Sequence, residues 1–219
     1  GNRLTKLEGG TTTTYSYDSA NELTTEVTPT QTTTYSYDSN GNTTLKNAAS
    51  QLTTYTWDGE NRMTKLEQPT SPTVMTFTYD GNSYRRTLHD GTSLTKFLND
   101  WVTGMPGIDP VLIETDGSDS TIVTYTPGML LGLLSQRRSG ASRYYHYEAI
   151  GSTRQLTDSS QVLTDTYLYE AFGKEVATSG TTVNALRFVG QWNYFDDEKS
   201  GLLLLRGDKY YTPTSGRFL

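Results

Sequence analysis

The chain has 219 residues, no cysteine and a formal net charge of −6 at pH 7. Without cysteine there is neither a disulfide framework nor a Cys-ligated zinc site. The acidic balance, with no strongly basic stretch, argues against nucleic acid and anionic membranes as partners. Charged residues make up only 19% and aromatics 11%, a mixture unlike that of disordered chains. Thirty-nine threonines and 16 tyrosines, residue types that favour strands, predict an all-β fold.

In chain order, the first third is built on one phrase used four times: Tyr15-Ser-Tyr17-Asp18, Tyr35-Ser-Tyr37-Asp38, Tyr55-Thr-Trp57-Asp58 and Phe77-Thr-Tyr79-Asp80. The first aromatics lie 20, 20 and 22 residues apart, and a period of about 20 to 50 residues signals a repeat architecture. Aromatics at i and i+2 of a strand share one face, and the intervening Ser or Thr takes the other. The closing Asp starts a turn, because its side chain can bond the backbone two residues on. Turn formers follow it, among them Asn21, Gly41, Asn61 and Gly81. Return strands are then expected at Leu23 to Thr28, Leu45 to Asn47 and Met63 to Glu67. The unit is strand, turn, strand, turn.

Residues 1–83 hold these regular repeats. Pro29, Pro69 and Pro72 fall between strands, where a missing N–H breaks no ladder. Residues 84–144 form a divergent set of hairpins, with strands expected at Tyr84 to Leu88, Ser93 to Leu98, Val111 to Thr115 and Thr121 to Thr126. These are split by Asp90-Gly91, Asp116-Gly117 and Pro127-Gly128. The longest apolar run, Met129-Leu130-Leu131-Gly132-Leu133-Leu134, reads as a buried strand or turn and is far short of the ~20 residues that span a bilayer. Residues 145–219 regain the phrase as Tyr145-His-Tyr147-Glu148 and Tyr167-Leu-Tyr169-Glu170, each followed three residues later by a glycine, Gly151 and Gly173. The remainder, rich in Gly, Arg and aromatics, reads as an ending. Gly1-Asn2-Arg3-Leu4 lacks the basic start and apolar core of a secretion signal. It looks like the tail of a preceding repeat, so the chain is expected to be a piece of something longer.

These phrases resemble the YD repeats of bacterial RHS (rearrangement hot spot) proteins. The last segment resembles the RHS repeat-associated core through Gly151-Ser-Thr-Arg154, Tyr169-Glu-Ala-Phe-Gly173, Arg187-Phe-Val-Gly190-Gln191 and Tyr210-Tyr211-Thr-Pro213-Thr-Ser-Gly216-Arg217-Phe218. The resemblance covers nearly the whole chain. It implies antiparallel hairpins joined in a continuous spiralling sheet, part of a hollow β-shell that encloses a variable C-terminal effector in polymorphic toxins and toxin-complex C components. Two departures stand out. Arg206-Gly-Asp-Lys209 occupies the place of the usual Arg-x-Arg with one residue to spare, and the self-cleaving aspartates of the family would lie beyond Leu219.

Candidate chemistry is sparse. His89 and His146 have no metal-binding spacing, and His146, at the x of a Tyr-x-Tyr phrase, belongs on the exposed face of a strand. No Gly-x-Ser-x-Gly elbow supports a serine nucleophile. Asp38-Ser-Asn40-Gly-Asn42 imitates a calcium loop, but its glycine falls at the fourth position, so it reads as a turn. Asn42-Thr-Thr44 is a weak glycosylation match, and Arg206-Gly-Asp208 falls where a core strand is expected. The aromatic rows could stack on sugars, but burial is the better reading, because the apolar face of a sheet must be covered.

Together with the resemblance, which implies a scaffold secreted or at the cell surface, these residues lead one to expect a non-catalytic chain with no cofactor and no metal. Its expected partner is a C-terminal toxin or effector domain of the same polypeptide, with self-association through free sheet edges as a second contact. The alternative is an extracellular adhesion or filament module that binds glycans or other copies of itself.

Overall fold

The computed structural model describes residues 2–70, 73–100, 110–128, 132–197, 199–205 and 207–219. They are almost entirely strand and turn. In chain order the strands are β1 (Thr5–Glu8), β2 (Thr11–Tyr17), β3 (Leu23–Val27), β4 (Thr32–Tyr37), β5 (Thr43–Ala48), β6 (Gln51–Trp57), β7 (Met63–Glu67) and β8 (Val74–Tyr79). There follow β9 (Arg85–His89), β10 (Leu94–Asn99), β11 (Val111–Asp116), β12 (Thr121–Gly128), β13 (Gly132–Arg138), β14 (Ala141–Tyr147), β15 (Thr153–Thr157), β16 (Leu163–Tyr169) and β17 (Glu175–Ser179). A single 3-10 turn, Gly190–Trp192, precedes β18 (Phe195–Asp197), β19 (Leu202–Leu205), β20 (Lys209–Thr212) and β21 (Arg217–Phe218). The first seventeen strands form one antiparallel sheet and the last four a second. The chain divides into two compact units, Gly1–Thr76 and Phe77–Leu219, with the boundary inside β8.

In the first unit each strand pairs with its chain neighbour, and the registers put Tyr15 opposite Glu26, Tyr35 opposite Lys46 and Tyr55 opposite Leu66. Following these pairs across the strands puts Tyr15, Tyr35 and Tyr55 on one face. Alternation explains what is buried there: Tyr15, Leu23, Tyr55, Met63, Leu66 and Met75 are buried, whereas Ser16, Ser36 and Thr56 are exposed. Tyr55, Leu66 and Met75 sit opposite one another on β6, β7 and β8, and each side chain fully buried in such a row is stabilising by about 1.5–3 kcal/mol.

One irregularity recurs. Ser16 faces Thr25 but Tyr17 faces Leu23, so Thr24 is an extra residue in the return strand. The same slip leaves Thr44 extra opposite Tyr37 and Thr64 extra opposite Trp57. Each is a β-bulge, one residue in excess on one strand of an antiparallel pair. The bulged threonine then donates its hydroxyl to the carbonyl of the middle residue of the phrase, Thr24 to Ser16 at 3.1 Å, Thr44 to Ser36 at 3.2 Å and Thr64 to Thr56 at 3.2 Å. A threonine at this place closes the gap that the bulge opens.

In the second unit β9 to β17 also pair in chain order. β12 runs through Pro127 and Gly128, where the sequence suggests a break; the ladder shifts register between Thr126 and Pro127, and a proline is tolerated at such an irregularity. Of the apolar run after it, Met129 to Leu131 lie outside the described residues; Leu133 is buried on β13 and Leu134 is exposed. The four leucines of β19 are all buried. Leu203 and Leu205 join Phe188 in a cluster to which Tyr169, Val189, Tyr194 and Tyr211 are packed.

Candidate functional site

The local device that builds each repeat is the aspartate turn. The N–H of Asp38 donates to the carbonyl of Asn42, and the N–H of Gly41 donates back to the Asp38 carbonyl. The Asp38 Oδ1 accepts the N–H groups of Asn40 and Asn42, both at 2.9 Å. Asp18, Asp58 and Asp80 make the same pair of side-chain bonds. The third residue after each aspartate is left-handed: Asn21, Gly41, Asn61 and Ser83. Glu148 and Glu170 keep the two backbone bonds, with Gly151 and Gly173 in the left-handed place. Burial pulls the Asp38 carboxyl upward, but the Asn42 side chain and the amide donors outweigh it and hold it below the usual aspartate range. Asn42 is buried, with its Nδ2 donating to Asp38 and Asn61, so the tripeptide Asn42-Thr-Thr44 is not presented for glycosylation.

The second aromatic of each phrase does a separate job. Tyr17 donates its hydroxyl to the carbonyl of Arg3 at 2.7 Å, Tyr37 to Leu23 at 2.8 Å and Tyr147 to Leu133 at 2.6 Å, each fourteen residues back. Tyr169 donates to Thr153 at 3.0 Å. The ring thus pins its strand to the start of the preceding one. In the phrases of β14 and β16 the two rings lie parallel, 8° apart, on one face: Tyr145 with Tyr147 at 5.9 Å and Tyr167 with Tyr169 at 6.5 Å. The middle residues, His146 and Leu168, are exposed.

In the second unit the chain itself covers this ring face. After β17, residues 182–192 cross β13 to β17: Gln136 Nε2 donates to the Val183 carbonyl, Tyr145 to Asn184 Oδ1, and the N–H and hydroxyl of Thr153 to the carbonyls of Arg187 and Leu186. Glycines make the close approach feasible. A Cβ on Gly151 would lie 2.5 Å from Trp192 Nε1, and one on Gly173 would lie 2.5 Å from Phe188 Cδ1. Arg187 bonds Glu175 at 3.1 Å, and Gly190 N–H donates to the Arg187 carbonyl at the entry to the 3-10 turn.

Further on, the second sheet docks on β8 to β10. Arg85, 3% exposed, donates from Nη1 to Asp197 Oδ2 at 3.0 Å, and the Tyr210 hydroxyl lies 3.4 Å away. The Tyr79 and Tyr210 hydroxyls share a hydrogen bond at 3.1 Å. The guanidinium sits over Phe97 at 4.7 Å, Phe195 at 5.4 Å and Phe77 at 5.5 Å. Burial lowers the Arg85 pKa, but Tyr210, Asp197 and Tyr79 raise it by more, and it ends above its ordinary value. Nearby, buried Glu114 accepts from Tyr125 at 2.6 Å, and its carboxyl is pushed up by burial despite Tyr125 and Arg138. Among the described residues no three His, Asp or Glu side chains gather as metal ligands.

Residues 37–73 match the family described as RHS Repeat. The chain is 32% identical over 149 residues to the tRNA3(Ser)-specific nuclease WapA of Bacillus spizizenii, covering 66% of this chain and 6% of that protein. It is 31% identical over 112 residues to the tRNA nuclease WapA of Bacillus subtilis strain 168, covering 50% of this chain and 5% of the other. Among solved structures, TcdB2-TccC3-Cdc42 superposes with a TM-score of 0.56 at 15% identity, over 95% of this chain and 12% of that one. The chain carries an RHS repeat. The Photorhabdus luminescens Tc holotoxin pore shares the fold too, with a TM-score of 0.57 at 16% identity over 95% of this chain and 12% of its own. The chain thus spans a small fraction of each of these four proteins.

Gly151 accepts the N–H of Gln191, and Arg154, the extra residue of a bulge, pairs with Glu148 at 3.6 Å. Tyr211 donates to the Phe172 carbonyl and stacks edge-on with Phe218. Pro213 lies in the turn that Gly216 N–H closes on Thr212, and Arg217 opens β21. Gly207 and Asp208 form the turn between β19 and β20, not a strand; Arg206 lies outside the described residues. On either side of it Leu204 faces Tyr210 and Leu205 faces Lys209. The break expected at Asp116-Gly117 is a turn with the same side-chain bonds, and Asp158, which the sequence reading does not single out, makes another; neither has an aromatic phrase before it. Their signal is an aspartate after a strand with Ser two residues on. Nothing in the sequence marks Arg85, Asp197 or Glu114.

Proposed function

We propose that this RHS chain is a stretch of wall in a larger secreted or surface-exposed bacterial protein, and that the wall encloses or displays an effector carried on the same polypeptide. The observation that carries this reading is the repeated pin between a ring and the carbonyl fourteen residues back. A contact reproduced from repeat to repeat makes stability a sum of neighbour terms, as suits an extended scaffold. The WapA relatives are named as tRNA nucleases, and the chain spans only 6% of one of them. In this reading a nuclease or other effector occupies a different part of the whole protein, and the RHS stretch performs no chemistry. No helix among the described residues is long and apolar enough to cross a membrane.

Limited proteolysis of the full-length protein tests the proposal. Expected is a protease-resistant wall that retains its effector fragment intact until the wall is denatured. Digestion of the effector at the rate of the isolated effector domain, with the wall still folded, refutes enclosure. Retention on cell-wall polysaccharide together with such digestion favours adhesion instead.

A further inference from the structure

The buried guanidinium of Arg85 has a consequence for how the terminal sheet finds its place. Docking of 195–212 on β8 to β10 also rests on the bond between the Tyr79 and Tyr210 hydroxyls, on the pairing of half-exposed Lys199 with buried Asp90, and on aromatic contacts, Phe77 with Tyr210 at 5.6 Å and Phe97 with Phe195 at 5.5 Å. Aromatic contacts are broad in geometry and tolerate sliding, and four consecutive buried leucines on β19 offer no distinct register of their own. A buried charge is different, because a mispaired position leaves it desolvated with no counter-charge. Arg85 and Asp197 are 3% and 4% exposed, and the cavity beside Arg85, lined also by Phe97, Asn99, Asn193, Phe195 and Leu204, measures about 10 Å³. With both side chains almost fully buried, bulk water has little access to either partner. The backbone adds a second fixed point: Arg85 N–H donates to the Gly207 carbonyl at 3.1 Å, and a Cβ on Gly207 would lie 2.6 Å from the Tyr84 ring.

We propose that Arg85 is a registry latch: its buried charge admits only the docking in which Asp197 and the Tyr210 hydroxyl arrive together, and so selects the position of the terminal sheet on β8 to β10. The latch is a positioning device that acts through packing, and it stands independently of whether the wall encloses an effector. A buried ion pair exchanged for apolar residues is often neutral for stability, whereas removing one partner is strongly destabilising. Stability and registry are therefore separable by mutation.

The test is hydrogen exchange by mass spectrometry on the full-length protein. In Asp197→Asn, amides of 195–212 are expected to exchange at least about 100-fold faster while those of 133–157 keep their protection. In the double variant Arg85→Met with Asp197→Leu, the thermal midpoint is expected to stay near that of the parent, but 195–212 should show two exchanging populations. Should Asp197→Asn fail to accumulate, Tyr210→Phe serves: it keeps the ring and deletes the hydroxyl, with roughly 10-fold faster exchange confined to the same segment. Unchanged exchange in the single variants overturns the latch, as does equal acceleration in 133–157. A double variant with parent-like, single-population protection also overturns it, because the remaining contacts, the Lys199–Asp90 pair and the packing among them, would then set the position.

Discussion

The indole N–H of Trp57 donates to the carbonyl of Thr43 at 2.8 Å, taking the place of the bond that Tyr37 makes to Leu23. Two different rings thus reach the same kind of acceptor, which explains why Tyr-x-Trp is an acceptable version of the phrase. Thr43 is 2% exposed, so its carbonyl has little access to water. Trp57→Phe keeps the ring and loses the donor, and is expected to destabilise by about 1–3 kcal/mol in urea denaturation. Trp57→Tyr restores a donor and should lose less than Phe does.

The aspartate turns make acid stability predictable. Asp38 has a carboxyl held below its usual range, so its contribution is complete above the ordinary aspartate pKa of ~3.9 and is lost as pH falls through the depressed folded value. Asp58 behaves alike, with Arg62 and the turn amides overcoming the effect of burial. Thermal midpoints measured between pH 2 and pH 6 should fall toward acid, and Asp38→Ala combined with Asp58→Ala should flatten that slope.

Glu114 has the opposite sign. Burial raises its folded pKa, so the carboxyl favours the fold when protonated, at pH below the ordinary glutamate value of ~4.3, and that advantage disappears as pH rises through the elevated folded value. Glu114→Gln, which can still accept from Tyr125, is expected to leave stability unchanged at pH 4 and to raise it relative to the parent at pH 8. A constant difference across that range would contradict this assignment.

Gly173 combines a left-handed backbone, φ +92°, with the approach of Phe188. Gly173→Ala therefore meets both backbone strain of about 1–2 kcal/mol and an overlap that costs about 1–3 kcal/mol unless Phe188 moves. The effect should be concentrated in exchange protection of 186–192. Gly140, also left-handed but with open space where its Cβ would lie, should show the strain alone when changed to Ala.

Much of this fold is legible in the sequence because two local rules coincide. Period-two alternation sets the buried face, and a side chain that bonds its own turn sets the strand ends, so Tyr15, Tyr35 and Tyr55 share a face and Asp18, Asp38 and Asp58 close their strands. The bulges are harder to foresee. Thr24, Thr44 and Thr64 look like ordinary strand threonines until the ladder shows that they have no partner opposite. Arg85 was illegible for a different reason: its partners Asp197 and Tyr210 are 112 and 125 residues away. A contact of that separation leaves no periodic trace, and a lone Arg in a strand resembles a solvated surface residue.

The central proposal is that the RHS stretch is wall around an effector. A cryo-electron microscopy map of the full-length protein tests it most directly. The account predicts that the strands of residues 5–179 build the boundary of an enclosure, with additional polypeptide density inside it. A map in which this stretch stands apart from any enclosure, with the remaining polypeptide wholly outside, would contradict it.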